Sequence, residues 1–123
     1  MAFLADTIFD SGLNQFNALT ENLYITSAEA TTFAEASDTL KLGTKATPTI
    51  GTAVDRSGGG REVVVSAVTD GTVNTTGTAT HWALTDDSAS LLLATGSLSA
   101  SQAVTATNTW TLTSYSIGIP GPA

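Results

Sequence analysis

Residues 77–119 constrain the fold most, because apolar side chains recur there at every second position, punctuated by turn residues. A period of two puts alternate side chains on opposite faces of a strand. In Thr78–Leu84, Trp82 and Leu84 fall on one face, while Ala79, His81 and Ala83 fall on the other. Leu91–Thr95 is a second run, ended by Gly96. Thr109–Thr113 reads Thr-Trp-Thr-Leu-Thr, a half-buried strand. Asp86-Asp87-Ser88 supplies a turn, because short oxygen-bearing side chains bond nearby backbone groups. Trp82, Leu84, Trp110 and Leu112 are expected to share one packed core layer. The pattern predicts a mainly β fold, an antiparallel β-sandwich or barrel-like domain, and by itself specifies no chemistry.

The remaining chain adds one helix to that core. Ile8, Phe9, Leu13, Phe16 and Leu19 recur at helical spacing, with Asp6 as the expected N-cap, so residues 6–19 read as a helix within an N-terminal helical anchor of residues 1–20. Gly12 interrupts the pattern at a propensity cost of about 1 kcal/mol. Leu23–Thr26 is a short strand, Ala30–Ala36 a helical turn or two anchored by Phe33, and Thr39–Leu42 a strand closed by Gly43. Residues 44–60 form a long loop with Pro48, Gly51 and the run Gly58-Gly59-Gly60, which suits a mobile loop or a hairpin tip. Arg61–Thr69 holds three consecutive valines and reads as a central strand with two apolar faces. Asp70-Gly71 is a hairpin signal, with Thr72–Thr76 as its return strand. Ala106-Thr107-Asn108 is a further turn, and the inward parity switches near Ser114, which requires a bulge or a change of face.

At 123 residues the chain is expected to form one domain, long enough to bury about two-thirds of its unfolded surface. Only 12% of the residues are charged, against about 25% in an ordinary domain. Such a surface suits a protein packed against neighbours, where charges would have to be desolvated. The net charge of −7 rests on eleven acids against Lys41, Lys45, Arg56 and Arg61. Four scattered cations make no phosphate-neutralising stripe, so neither a nucleic-acid nor a membrane partner is expected. The absence of cysteine rules out disulfide and thiolate chemistry. Met1–Asp6 has neither a basic start nor a long apolar stretch, so the expectation is a cytoplasmic product without a signal peptide.

The residues capable of chemistry are sparse. His81 is the single histidine, its strand neighbours Ala79 and Ala83 offer no partner, and it reads as structural. Asp86 and Asp87 have the character of half a calcium site but lack its spaced acidic loop, so a polar turn accounts for them. Asp55-Arg56 and Arg61-Glu62 flank the glycine run as a possible ion-pair latch or as solvated loop charges. Ser57-Gly58-Gly59-Gly60 lacks the lysine and the strand-to-helix context of a phosphate loop. No Gly-x-Ser-x-Gly elbow accompanies the serines. No catalytic residue, metal or cofactor is expected. The tryptophans suit a core better than a sugar-stacking platform.

Four stretches carry a resemblance: ADTIFDSGLN, LYITSAEATTFAEASDTLKLG, DRSGGGREVVVSAVTDGTV and GTATHWALTDDSASLLLATGSLSASQAVTATNTWTLTSYSIGIP. Together they resemble small structural proteins of tailed bacteriophages and prophages, over nearly the whole chain. Thr78–Leu84 with the following Leu-Leu-Ala-Thr-Gly-Ser-Leu-Ser run is similar to a strand pair in β-sandwich proteins of phage heads and tail fibres. The resemblance implies virion structure: a capsid decoration, or cement, protein made in the host cytoplasm and bound to the outer capsid surface. Its expected partners are the major capsid protein and copies of itself. Phe3, Leu4 and Phe9, together with Ile50 and Val54 of the long loop, are the expected contact residues. The alternative is a tail-fibre or baseplate module that contacts host glycans through an exposed Trp82 or Trp110.

Overall fold

The computed structural model describes residues 5–121. In chain order its main elements are α1 (Asp6–Leu19), β1 (Asn22–Thr26), β2 (Lys41–Ala46), β3 (Val54–Asp55), β4 (Arg61–Val65), β5 (Val68–Val73), β6 (Gly77–Asp86), β7 (Leu91–Val104), β8 (Thr109–Leu112) and β9 (Tyr115–Ile119). The chain is mainly β with antiparallel sheets and one N-terminal helix, as the alternation requires. Its internal contacts divide it into two compact units. The smaller gathers residues up to Leu19, Thr49–Ala67 and the residues from Thr113 on; the larger gathers Thr20–Pro48 and Val68–Leu112.

The larger unit is a six-stranded sheet in the order β7-β6-β1-β2-β5-β8. Its register explains which side chains meet, because directly opposed residues share a face. Leu23 lies opposite Leu84 and Ile25 opposite Trp82, while Tyr24 lies opposite Ala83. The same face continues through Gly43 opposite Ile25, Val73 opposite Gly43, and Gly71 opposite Trp110. Trp82, Leu84 and Trp110 therefore share one face, but at opposite ends of the sheet, with β1, β2 and β5 between them. Trp110 is buried (1% exposed), and Leu112 beyond it on β8 is half-buried.

Glycine makes room for both tryptophans. A Cβ built on Gly96 would sit 2.5 Å from Trp82 Cζ2. One on Gly43 would lie 2.6 Å from the Trp110 ring, and one on Gly71 would overlap that ring at Cε2. Trp110 then donates its indole N–H to the Thr72 carbonyl oxygen at 3.1 Å. This corrects three expectations. Gly43 does not close β2, which continues to Ala46; Gly96 does not end β7, which continues to Val104; and Asp70-Gly71 is no turn, because β5 runs straight through it. Thr72–Thr76 is accordingly not a return strand. It finishes β5 and turns, with the Asn74 and Thr75 N–H groups donating to the Leu42 carbonyl.

The other face of this sheet is covered locally. Tyr24 and Ala83 pack with Ala30 and Ala36, flanked by Leu40 and Leu92. Ala30 and Ala36, rather than the half-buried Phe33, anchor the segment. It is wound as a π-helical turn, Glu35–Thr39, in which the Leu40 N–H donates to the Glu35 carbonyl. Glu35 accepts from the Thr31 N–H and hydroxyl, and Thr32 Oγ1 accepts from the Glu35 N–H, closing the turn as a capping box does.

The smaller unit sets α1 against a three-stranded sheet in the order β3-β4-β9. Phe9, Leu13, Ile50, Val63 and Val65 form its buried set. Helix α1 spans the expected residues, but Asp6 lies within its first turn, where the Ile8 N–H donates to the Ala5 carbonyl. Ile8 points outward, at 60% exposed, and does not join the apolar stripe. β4 is central, yet it ends at Val65, and Val64 is 37% exposed, so only one of its faces is a core face. Residues 44–60 are not one loop. Thr44–Ala46 belong to β2, Ile50 bridges Val65, and β3 pairs with β4. The glycine run forms the β3–β4 hairpin tip, with Gly58, Gly59 and Gly60 all at positive φ (87°, 103° and 89°). At Ser114 the chain leaves β8 of the larger sheet and enters β9 of the smaller one, which explains the parity switch.

Candidate assembly surface

The polar side chains capable of chemistry are engaged in holding turns. At the end of β6, Tyr24 donates its hydroxyl to Asp87 Oδ2 at 2.6 Å, and Thr85 donates to Asp87 Oδ1 at 2.5 Å. Burial works to raise the Asp87 carboxyl, but the bonds from Thr85 and Tyr24 outweigh it and hold Asp87 below the usual carboxylate range. Beside it, Glu21 accepts from the Ser88 N–H at 2.7 Å and also bonds Asp86. The bond to Glu21, then burial, pushes Asp86 up, while the bonds from Ser88 hold Glu21 down. The Asp86-Asp87-Ser88 turn is thus a polar clamp over the Asp87–Ala89 3-10 turn.

His81 has its Nδ1 at 2.8 Å from Thr80 Oγ1 and its Nε2 at 4.0 Å from Glu29 Oε2. Among the described residues, no group of three or more histidines and acids is placed to hold a metal ion. Among them, too, no helix is long and apolar enough to cross a membrane. In the smaller unit, Arg61 grips Asp10 through two nitrogens at 3.0 and 3.3 Å, meets Asp55 at 2.7 Å, and donates to the Ala53 carbonyl at 3.2 Å. Asp10 first, then Asp55, holds the Arg61 guanidinium above its already high ordinary value. The hairpin latch therefore forms between Asp55 and Arg61, and it extends to the helix, which the local sequence did not suggest. Arg56 instead donates to the Gly59 carbonyl at 3.0 Å within the tip.

The surface is more distinctive than any pocket of chemistry. Among the strands at sheet edges, β7, β8 and β9 contain no charged residue, and only Asp55 in β3 is charged. β7 has fourteen residues but loses register with β6 between Ala79 and His81 and again between Leu84 and Thr85. Near its end, Gln102 Nε2 donates across to the Thr111 carbonyl of β8 at 2.9 Å. β9 keeps regular register with β4 along its whole length. Val54 and Val64 project from the same face of the smaller sheet, at 45% and 37% exposed.

The expected contact residues separate into three groups. Phe3 and Leu4 lie outside the described residues. Phe9 and Ile50 are buried within the smaller unit, at 4% and 7% exposed, whereas Val54 is exposed. Trp82 and Trp110 are buried, so neither offers an exposed stacking face of the kind the glycan alternative requires. Compared with known proteins, the chain matches no family model, no curated protein and no solved structure.

Proposed function

We propose that this chain is a structural component of a tailed-phage virion, a decoration protein that binds the outer face of the major capsid shell and stabilises it. The observation that carries the reading is the surface: three of its edge strands are free of charge in a chain with a net charge of −7. Uncharged edges and outward valines suit repeated contacts on a lattice, where each buried charge would need compensation. The resemblance of the four sequence stretches to phage structural proteins points the same way. The polar clusters favour the same class, because their donors and acceptors are committed to turns and to the helix–sheet contact.

The binding segment is placed before α1, at Phe3 and Leu4, together with Val54. Truncation must stop short of Asp6, because removing Phe9 would open the core of the smaller unit. The test is co-sedimentation with shells stripped of accessory proteins. The intact chain should bind stoichiometrically, at hundreds of copies per particle, and the chain lacking residues 1–4 should fold yet fail to bind. Absence from purified virions, or presence at only a few copies, would sink the reading.

A further inference from the structure

β9 is chemically symmetric about Ile117: outward from it come small Ser116 and Gly118, then large apolar Tyr115 and Ile119. Within its five residues it carries no charge, proline or bulge, the devices by which edges are normally blunted; Pro120 follows it directly, and the Arg56 side chain lies against Gly118 on the outer face. β3 has two residues and a charge, β8 four residues, and β7 two breaks of register. β9 pairs regularly with β4 from Arg61 opposite Ile119 to Val65 opposite Tyr115. Among the described residues, the backbone from Ser116 to Ile119 makes no backbone hydrogen bond beyond its own sheet. At the exposed end of the strand, Ile119 is 39% exposed.

We propose that β9 pairs antiparallel with β9 of a second copy of this chain, about a twofold axis at Ile117, fusing two three-stranded sheets into one. In this register Tyr115 stands opposite Ile119 of the partner subunit, and Ser116 stands opposite Gly118 of the partner subunit. Large apolar side chains then meet on the face that carries Val63 and Val65, and small ones meet on the outer face. A slip of one residue would put large against small and break both faces. Charge does not oppose the contact at the edge itself. Two copies at −7 repel wherever their acids meet, and this edge joins them through strands with no charge at all. The pairing is a property of the isolated chain and holds whatever larger partner the chain has.

Sedimentation velocity of the full chain should show a monomer–dimer equilibrium with a dissociation constant of about 10–100 μM, as suits a small contact. Ser116→Lys, which adds like charges near the axis, should weaken it about tenfold. The chain has no cysteine, so single introduced cysteines report the register. Under mild oxidation Ile117→Cys should cross-link to itself, because the residue on the axis faces its own copy within disulfide reach. Ser116→Cys should cross-link to Gly118→Cys in a mixture, and neither should do so efficiently alone. A chain that stays monomeric at every concentration overturns the proposal. So does a dimer that fails to cross-link both at position 117 and in the 116–118 mixture.

Discussion

The two units solve the same packing problem with different materials. The larger seats two indole rings on bare backbone at Gly43, Gly71 and Gly96. The smaller packs Phe9, Leu13, Ile50, Val63 and Val65 and ties helix to sheet through Arg61. A ring on glycine leaves no room to adjust, whereas aliphatic side chains can shift between rotamers. The larger unit should therefore be brittle at its glycines, and the smaller one tolerant in its core but dependent on one cation.

The largest expected effect breaks the brittle side. Gly71→Ala places a methyl group inside the Trp110 ring position and should cost about 3 kcal/mol in urea unfolding followed by tryptophan fluorescence. Both tryptophans lie in the larger unit, so that signal reports it directly. Trp110→Phe keeps most of the burial, loses the bond to Thr72, and should cost about 2 kcal/mol. If Gly71 serves as the ring's seat, the alanine penalty should shrink by at least about 1 kcal/mol in the phenylalanine background. Additive costs would show that the seat has another purpose.

On the tolerant side, Arg61→Ala removes the partner of half-buried Asp10 and of Asp55. It should lower the thermal midpoint read by helix circular dichroism, by less than Gly71→Ala lowers it. Gly12→Ala has the opposite sign. Its new methyl would rest 4.0 Å from Ile119 Cδ1, ordinary contact, so the helix should gain about 1 kcal/mol of propensity without a clash.

The smallest effect concerns the carboxyl pair. Asp86 is raised, so its contribution is present below the ordinary carboxylate value and is lost as pH rises through the raised one. Glu21 and Asp87 are lowered, so theirs is present above ordinary values and is lost as pH falls through the lowered ones. Asp86→Asn puts a neutral side chain beside Glu21 at every pH. It should raise the midpoint slightly at pH 7 while leaving the acid-side decline, which belongs to Glu21 and Asp87. A lower midpoint at pH 7 would mean that Asp86 acts there as a carboxylate.

Much of the fold was legible in local pattern. The helix over Asp6–Leu19, the strands around Trp82 and Trp110, the turns at Asp86-Asp87-Ser88 and near Asn108, and the switch at Ser114 all follow from periodicity and turn chemistry. Of the candidate surface, the sequence offered Val54 and the uncharged composition of the strands. It did not reveal that β9 lies at an edge, because edge position depends on sheet order and not on any residue in the strand.

By itself, then, the sequence determined the elements whose signals lie within a few residues: period two for strands, period 3.6 for α1, and positive-φ glycines for the hairpin tip. Only the tertiary structure decided what Gly43, Gly71 and Gly96 are for. Each reads locally as a breaker, because glycine lacks a side chain and loosens the backbone. In the sheet that same lack is filled by an indole ring, from the facing strand at Gly71 and Gly96 and from two strands away at Gly43. Tertiary structure likewise turned Arg61 from a loop charge into the tie between helix and sheet, since Asp10 lies 51 residues away in the chain. The reason is the same in both cases: a contact between distant residues is chosen by sheet order and register, which no short stretch of sequence contains.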